Sequence, residues 1–194
     1  MPPLGRRAAL AGALAAGAMP ARAAGRPFVA VAGDSLAVGL ADALLAMNPG
    51  APVVGYGVGS SGLRGTVPVD WQARIRDVVS ARPALALVLI GMNDVASAPG
   101  PDYLRNIEGF LGPLSDASVP FGVVSVPPTD DPAMNVRIEA LNRVFSILAP
   151  AMRGGHYVGV QPLHREMRQR DGIHFTAAGY RELARRVVAG MLPA

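Results

Sequence analysis

The sequence predicts an α/β sandwich of three layers, with helices on both faces of a central, mostly parallel five-stranded sheet. Three observations predict it. Short apolar runs of four to seven residues recur along the chain, separated by amphipathic stretches that begin at capping residues; such alternation builds a sheet whose crossovers are helices. The runs are continuously apolar rather than alternating, as in strands covered on both faces. Finally, 194 residues of which 51% are hydrophobic suffice for one core, and no repeat or linker divides them.

Residues 1–23 are set apart from that fold. Arg6-Arg7 precedes an Ala-rich apolar run from Ala8 to Met19, and Ala21-Arg22-Ala23 forms an A-x-A cleavage pattern. The run is shorter than the ~20 residues a spanning helix needs. The segment therefore reads as an export signal, of the twin-arginine type by its paired arginines, with a Sec signal as the alternative. The domain is expected over residues 26–192, in the periplasm or outside the cell.

The first strand is expected over Phe28 to Ala32. Leu36, Leu40, Leu44 and Met47 then share one helical face, and Asn48-Pro49-Gly50 stops that helix. A glycine-diluted second strand spans Pro52 to Val58. Asp70 can cap a helix burying Trp71, Ile75, Val78 and Val79. Ala84 to Ile90 is the third strand, and Asp102 can cap a helix carrying Leu104, Ile107, Phe110 and Leu111. After a fourth strand from Phe121 to Val126, Asp131-Pro132 supplies a cap with proline at the first helical position, and Ile138, Leu141, Phe145 and Leu148 follow on one face. A short fifth strand, Tyr157 to Val160, precedes a last helix opened by Thr176. Its inward residues are Tyr180, Leu183, Ala184, Val187, Val188 and Met191, and Glu182 and Arg186 stand i,i+4 among its solvent-facing residues.

Charge narrows the function. The whole chain carries 18 basic and 14 acidic residues, and loss of Arg6, Arg7 and Arg22 with the signal leaves 15 against 14. A balance so near neutral gives no footing for nucleic-acid binding. The absence of cysteine excludes disulfides, thiolate metal sites and a cysteine nucleophile.

Four positions carry chemistry. Ser35, in Gly33-Asp34-Ser35-Leu36, ends the first strand and begins the first helix, at the carboxyl edge where open α/β sheets bind ligands. Alone, it would read as an N-cap. Asp171 and His174, in Asp171-Gly172-Ile173-His174, lie in a loop before the last helix, where the imidazole could take the Ser35 proton while Asp171 fixes its tautomer. Asn93, in Gly91-Met92-Asn93-Asp94, follows the third strand, and its amide can donate to a developing oxyanion. Gly62, in Gly59-Ser60-Ser61-Gly62-Leu63, follows the second strand, where a glycine lets a backbone N–H approach a substrate closely. Gly59 is the alternative there.

In this order the four blocks resemble those of the SGNH (GDSL-type) hydrolases across nearly the whole domain. The resemblance implies the flavodoxin-like fold of that family, with Ser35 as nucleophile, Asp171 and His174 as its triad partners, and an oxyanion hole made of the Ser35 amide, Gly62 and Asn93. It implies neither cofactor nor metal. An α/β-hydrolase is disfavoured because Ser35 is not in a G-x-S-x-G turn. His156 and His164 have no partner at metal spacing, Asp94 is expected to order the turn that aims Asn93, and Arg165, Arg168 and Arg170 read as a solvated loop face. Trp71 reads as core or rim packing.

The expectation is an exported serine esterase acting on small acyl, above all acetyl, esters of an envelope or extracellular carbohydrate. Its partner is a small-molecule or carbohydrate ester, not nucleic acid, and it has no membrane span. Two rivals share the fold: an O-acyltransferase that resolves the same acyl-enzyme with a sugar hydroxyl, and a non-catalytic polysaccharide-binding factor. An intact set of Ser35, Asn93, Asp171 and His174 speaks against the second.

Overall fold

Residues 27–48, 52–64, 69–96 and 100–191 are described by a computed structural model. The export signal expected at residues 1–23 and the Pro49-Gly50 helix stop lie outside them. Five strands, β1 (Val29–Gly33), β2 (Val53–Gly57), β3 (Leu85–Leu89), β4 (Phe121–Val124) and β5 (Gly155–Val158), form one sheet in the order β2-β1-β3-β4-β5. Every pairing is parallel, so the sheet is wholly rather than mostly parallel. The strands predicted as continuously apolar, β1, β3 and β4, are the three inner ones, and all their residues are buried. The fifth strand runs two residues earlier than its apolar signal. Its Gly155 and His156 are polar or featureless, and pairing of Gly155 with Phe121 rather than hydrophobicity sets its start.

Five helices connect and cover the strands: α1 (Ser35–Met47), α2 (Trp71–Ser80), α3 (Pro101–Asp116), α4 (Pro132–Ala151) and α5 (Ala177–Met191). Helix α1 packs against α5 on one face of the sheet, and α2 against α3 on the other. The right-handed crossover rule carries α4 to that second face. The core they enclose includes the fully buried rings of Phe110, Phe121, Phe145 and Phe175. Each contributes roughly 1.5–3 kcal/mol by leaving water.

The helix starts are set by side chains that accept otherwise orphaned N–H groups. Asp70 accepts from Ala73 N at 2.8 Å and Asp131 from Ala133 N at 2.8 Å. Thr176 Oγ1 accepts from Gly179 N at 3.2 Å. Asp102 does not cap α3. Gly100 occupies that position and Pro101 the first turn, so Asp102 falls one residue inside the helix and pairs with Arg105 instead. Met47 also departs from expectation: it is 41% exposed because α1 ends there, beyond the cover of its neighbours.

This strand order places a reversal of winding between β1 and β3. Loops leaving the carboxyl ends of those two strands diverge and leave a crevice, which is where doubly wound sheets hold their ligands. Ser35 leaves β1 and Asn93 leaves β3.

Candidate active site

The turn that carries Ser35 is bound directly to the sheet. Gly33, the last residue of β1, has φ +145, and a Cβ there would lie 1.8 Å from Leu89 O of β3. Only glycine permits that approach. The next residue, Asp34, is fully buried and caps α1 through Oδ1, which accepts from Leu36 N at 3.0 Å. Its Oδ2 reaches across to β3's exit and accepts from Gly91 N at 3.1 Å and Met92 N at 3.0 Å. One carboxylate thus staples the turn of Ser35 to the turn of Asn93. Burial pushes its pKa up to about 6, against the pull of the three N–H groups.

A second buried carboxylate orders the loop after β2. Asp94, 1% exposed, accepts from Leu63 N and Arg64 N, both at 2.9 Å, and from the Tyr103 hydroxyl at 2.9 Å. Burial, then the neighbouring Asp94, raises the Tyr103 pKa, so the phenol keeps its proton and donates. The Arg64 guanidinium stacks 4.4 Å over the Tyr103 ring. Gly62 packs against Asp94 so closely that a Cβ would lie 2.4 Å from Oδ1. Asn93 is held by the loop that Asp94 orders: its Nδ2 donates to Ser61 O at 2.7 Å. An amide nitrogen has two hydrogens, so the second can face the crevice. Gly59 is exposed with open space around it, whereas Gly62 is buried in this network.

The third loop bears Asp171 and His174 and lies outside the sheet. It folds back as a narrow hairpin on the residues before it: Gln169 N donates to His174 O at 2.8 Å, Gly172 N to Gln169 O at 3.1 Å, and Arg168 bridges to Phe175. Gly172 has φ +69 and its carbonyl accepts from Asp130 N at 3.2 Å, which joins the hairpin to the loop after β4. Arg168 is a correction to the solvated face expected for it. Its side chain is 4% exposed, 5.0 Å over the Phe175 ring and 3.8 Å from Asp130 Oδ1. Arg165 remains exposed and meets the other oxygen of Asp130 at 3.3 Å.

These loops bring three predicted residues into line. Ser35 Oγ lies 2.8 Å from His174 Nε2, and His174 Nδ1 lies 2.6 Å from Asp171 Oδ2. The other Asp171 oxygen accepts from Ile173 N at 2.9 Å and His174 N at 3.0 Å. The imidazole first, then those amides, hold the Asp171 carboxyl down at about 2. With Asp171 ionised, the imidazole proton belongs on Nδ1, and the Nε2 lone pair faces the serine hydroxyl. Such an arrangement can withdraw a proton from Ser35 as it attacks a carbonyl. The Ser35 amide, at the first position of α1, has no intrahelical acceptor and points with the helix dipole toward negative charge.

Asp34 was missed by sequence reasoning as a site residue, although a buried-looking strand followed directly by an acidic residue was a usable signal. Arg168 and Asp130 left no such trace. Of the remaining candidates, His156 Nε2 meets Gly190 O at 3.3 Å, His164 is exposed, and Trp71 packs edge-on to Phe110. Among the described residues no group of three or more His, Cys, Asp or Glu could hold a metal ion, and no helix is long and apolar enough to cross a membrane.

The sequence model of the GDSL-like lipase/acylhydrolase family matches residues 15–182. No curated protein matches the chain. Among solved structures, a lipase/acylhydrolase from Enterococcus faecalis superposes with a TM-score of 0.63 at 20% identity, covering 84% of this chain and 94% of that one. A catalytic mutant of an acetylxylan esterase from Geobacillus stearothermophilus gives 0.67 at 17% identity, covering 90% and 97%. Both likenesses are of fold.

Proposed function

Because the chain belongs to the GDSL-like lipase/acylhydrolase family and is a serine ester hydrolase, we propose that it cleaves small acyl esters, acetyl above all, on an envelope or extracellular carbohydrate through a Ser35 acyl-enzyme. The observation that carries the mechanism is the aligned pair of contacts, 2.8 Å from Ser35 to His174 and 2.6 Å from His174 to Asp171. Ser35 Oγ attacks the ester carbonyl as His174 Nε2 takes its proton. The oxyanion forms against the Ser35 and Gly62 amides and Asn93 Nδ2. The C–O bond to the alcohol then breaks, and His174 returns the proton to the leaving oxygen. Water, deprotonated by the same imidazole, attacks the acyl-enzyme; the acid departs and Ser35 regains its hydrogen.

Gly62 is preferred to Gly59 as the backbone donor because the Asp94 network fixes its loop. The small acyl group is supported by the compactness of the domain, and the carbohydrate by the acetylxylan esterase of the same fold. Export is supported by the Arg6-Arg7 and Ala21-Arg22-Ala23 signal; the N-terminus of the exported protein should then be near Ala24, and recovery of Met1 would end that part of the reading.

A fluorophosphonate is expected to label Ser35, folded Ser35→Ala to resist it, and turnover on an ester panel to fall with lengthening acyl chain. Undiminished hydrolysis by folded Ser35→Ala would remove the mechanism. A maximum at long acyl chains would remove the substrate class and leave the mechanism standing.

A further inference from the structure

Ser35 and His174 come from opposite ends of the chain, 139 residues apart, and no covalent or sheet contact sets the distance between them. Besides the Asp130–Gly172 bond that ties the His174 hairpin to the loop after β4, what joins their elements is the packing of α1 on α5. At the site end of that packing, one contact is close enough to require glycine. Gly39 lies one helical turn below Ser35, on the same face, and a Cβ at Gly39 would lie 2.2 Å from Tyr180 Cζ, 2.3 Å from Cε1 and 2.6 Å from Cε2. The far end of the phenol ring therefore rests on bare α1 backbone. The same ring meets Phe175 edge-on, with centroids 5.5 Å apart. Phe175 is fully buried and is the residue after His174.

We propose that Tyr180, seated on Gly39, is a positioning residue: its ring is the spacer that sets the Ser35–His174 separation, through Phe175. The inference rests on the triad reading above. The ring is wedged, because Gly39 lies under it and Phe175 beside it. Anything that lifts it from α1 must carry Phe175, and with it His174, away from the serine. The electrostatics agree with a half-buried phenol that lies near both Asp34 and Asp171. Burial pushes the Tyr180 pKa up to about 12, the Phe175 amide opposes this, and Asp34 and Asp171 both add to it.

The test is a kinetic comparison of Gly39→Ala, Tyr180→Leu, Tyr180→Phe and the double variant Gly39→Ala/Tyr180→Leu. Rates of fluorophosphonate labelling are measured alongside kcat and KM. A methyl group at Gly39 must displace the ring by more than about 1 Å, and misplacement of that size costs about 10²-fold in rate. Gly39→Ala is thus expected to slow labelling and lower kcat by about that factor, with KM changed less than about twofold. Replacing the ring makes room for the methyl, so the double variant should regain about tenfold over Gly39→Ala alone, a coupling expected only of groups in contact. Tyr180→Phe keeps the ring and should retain turnover that Tyr180→Leu loses.

Folded Gly39→Ala that labels at the wild-type rate, or a double variant whose loss is the product of the single losses, would overturn the proposal. If Gly39→Ala does not fold, equal kcat for Tyr180→Phe and Tyr180→Leu would overturn it. Failure of the wild-type protein to label, or labelling that survives Ser35→Ala, would overturn the triad reading instead.

Discussion

Asp34 and Asp171 are both carboxylates bound to backbone N–H groups at this site, yet their surroundings could hardly differ more. Asp34 is fully buried, accepts three backbone N–H bonds and has its pKa pushed up to about 6 by burial. Asp171 has 44% of its side chain exposed, and the imidazole and two amides hold its pKa down at about 2. Asp34 belongs to the half of the site that is built into the sheet, where β1 and β3 fix the turns of Ser35 and Asn93. Asp171 belongs to a half that leaves the sheet altogether and is placed by loop contacts through Arg168, Gln169 and Asp130. The comparison teaches that the turns of Ser35 and Asn93 share the stability of the sheet, while the loop of Asp171 and His174 is held by interactions outside it that can loosen separately.

The largest effect should come from breaking the pair that spans the two halves. Ser35→Ala and His174→Ala are each expected to lower kcat by about 10⁴ or more. Thermal unfolding should change little, because neither side chain anchors the sheet; a large drop in Tm for His174→Ala would mean that the loop is structural. Next is Asn93→Ala, on the sheet half. Loss of one oxyanion donor costs about 10²–10³ in kcat, with KM little altered, and a rise in KM at constant kcat would make Asn93 a binding or turn residue.

The contrast between the halves is sharpened by a third pair. Asp34→Asn turns an acceptor into a donor that faces another donor, whichever way the amide is oriented. It should cost about 2–4 kcal/mol of global stability, read by denaturant unfolding. Arg168→Ala should instead raise hydrogen exchange at Gln169, Gly172 and Thr176 by about tenfold and leave the amides of β1 and β3 protected. Equal loosening of both regions would dissolve the distinction.

The smallest effect is one of pH. A carboxyl with a depressed folded pKa contributes stability above its unfolded value and loses it on acidification through the folded one. The Tm difference between wild type and Asp171→Asn should therefore close as pH falls from about 4 toward 2. At this exposure it corresponds to no more than about 1 kcal/mol.

By itself the sequence determined most of the elements and singled out the groups proposed to react. Short unbroken apolar runs between helical stretches fit strands covered on both faces, which is why β1, β3 and β4 were legible and β5, an edge strand whose bounds are set by pairing, was misplaced by two residues. Ser35, Asn93, Asp171 and His174 stood out because side-chain chemistry and local position are properties of short segments. Only the tertiary structure decided what holds them together. Asp34 reaches 58 residues to Met92, Asp94 reaches 31 back to Leu63, and Tyr180 rests on Gly39 across two packed helices. No periodicity or spacing encodes such contacts. They arise when strand order brings distant turns to one edge, and burial then obliges each carboxylate to take whatever donors it meets there.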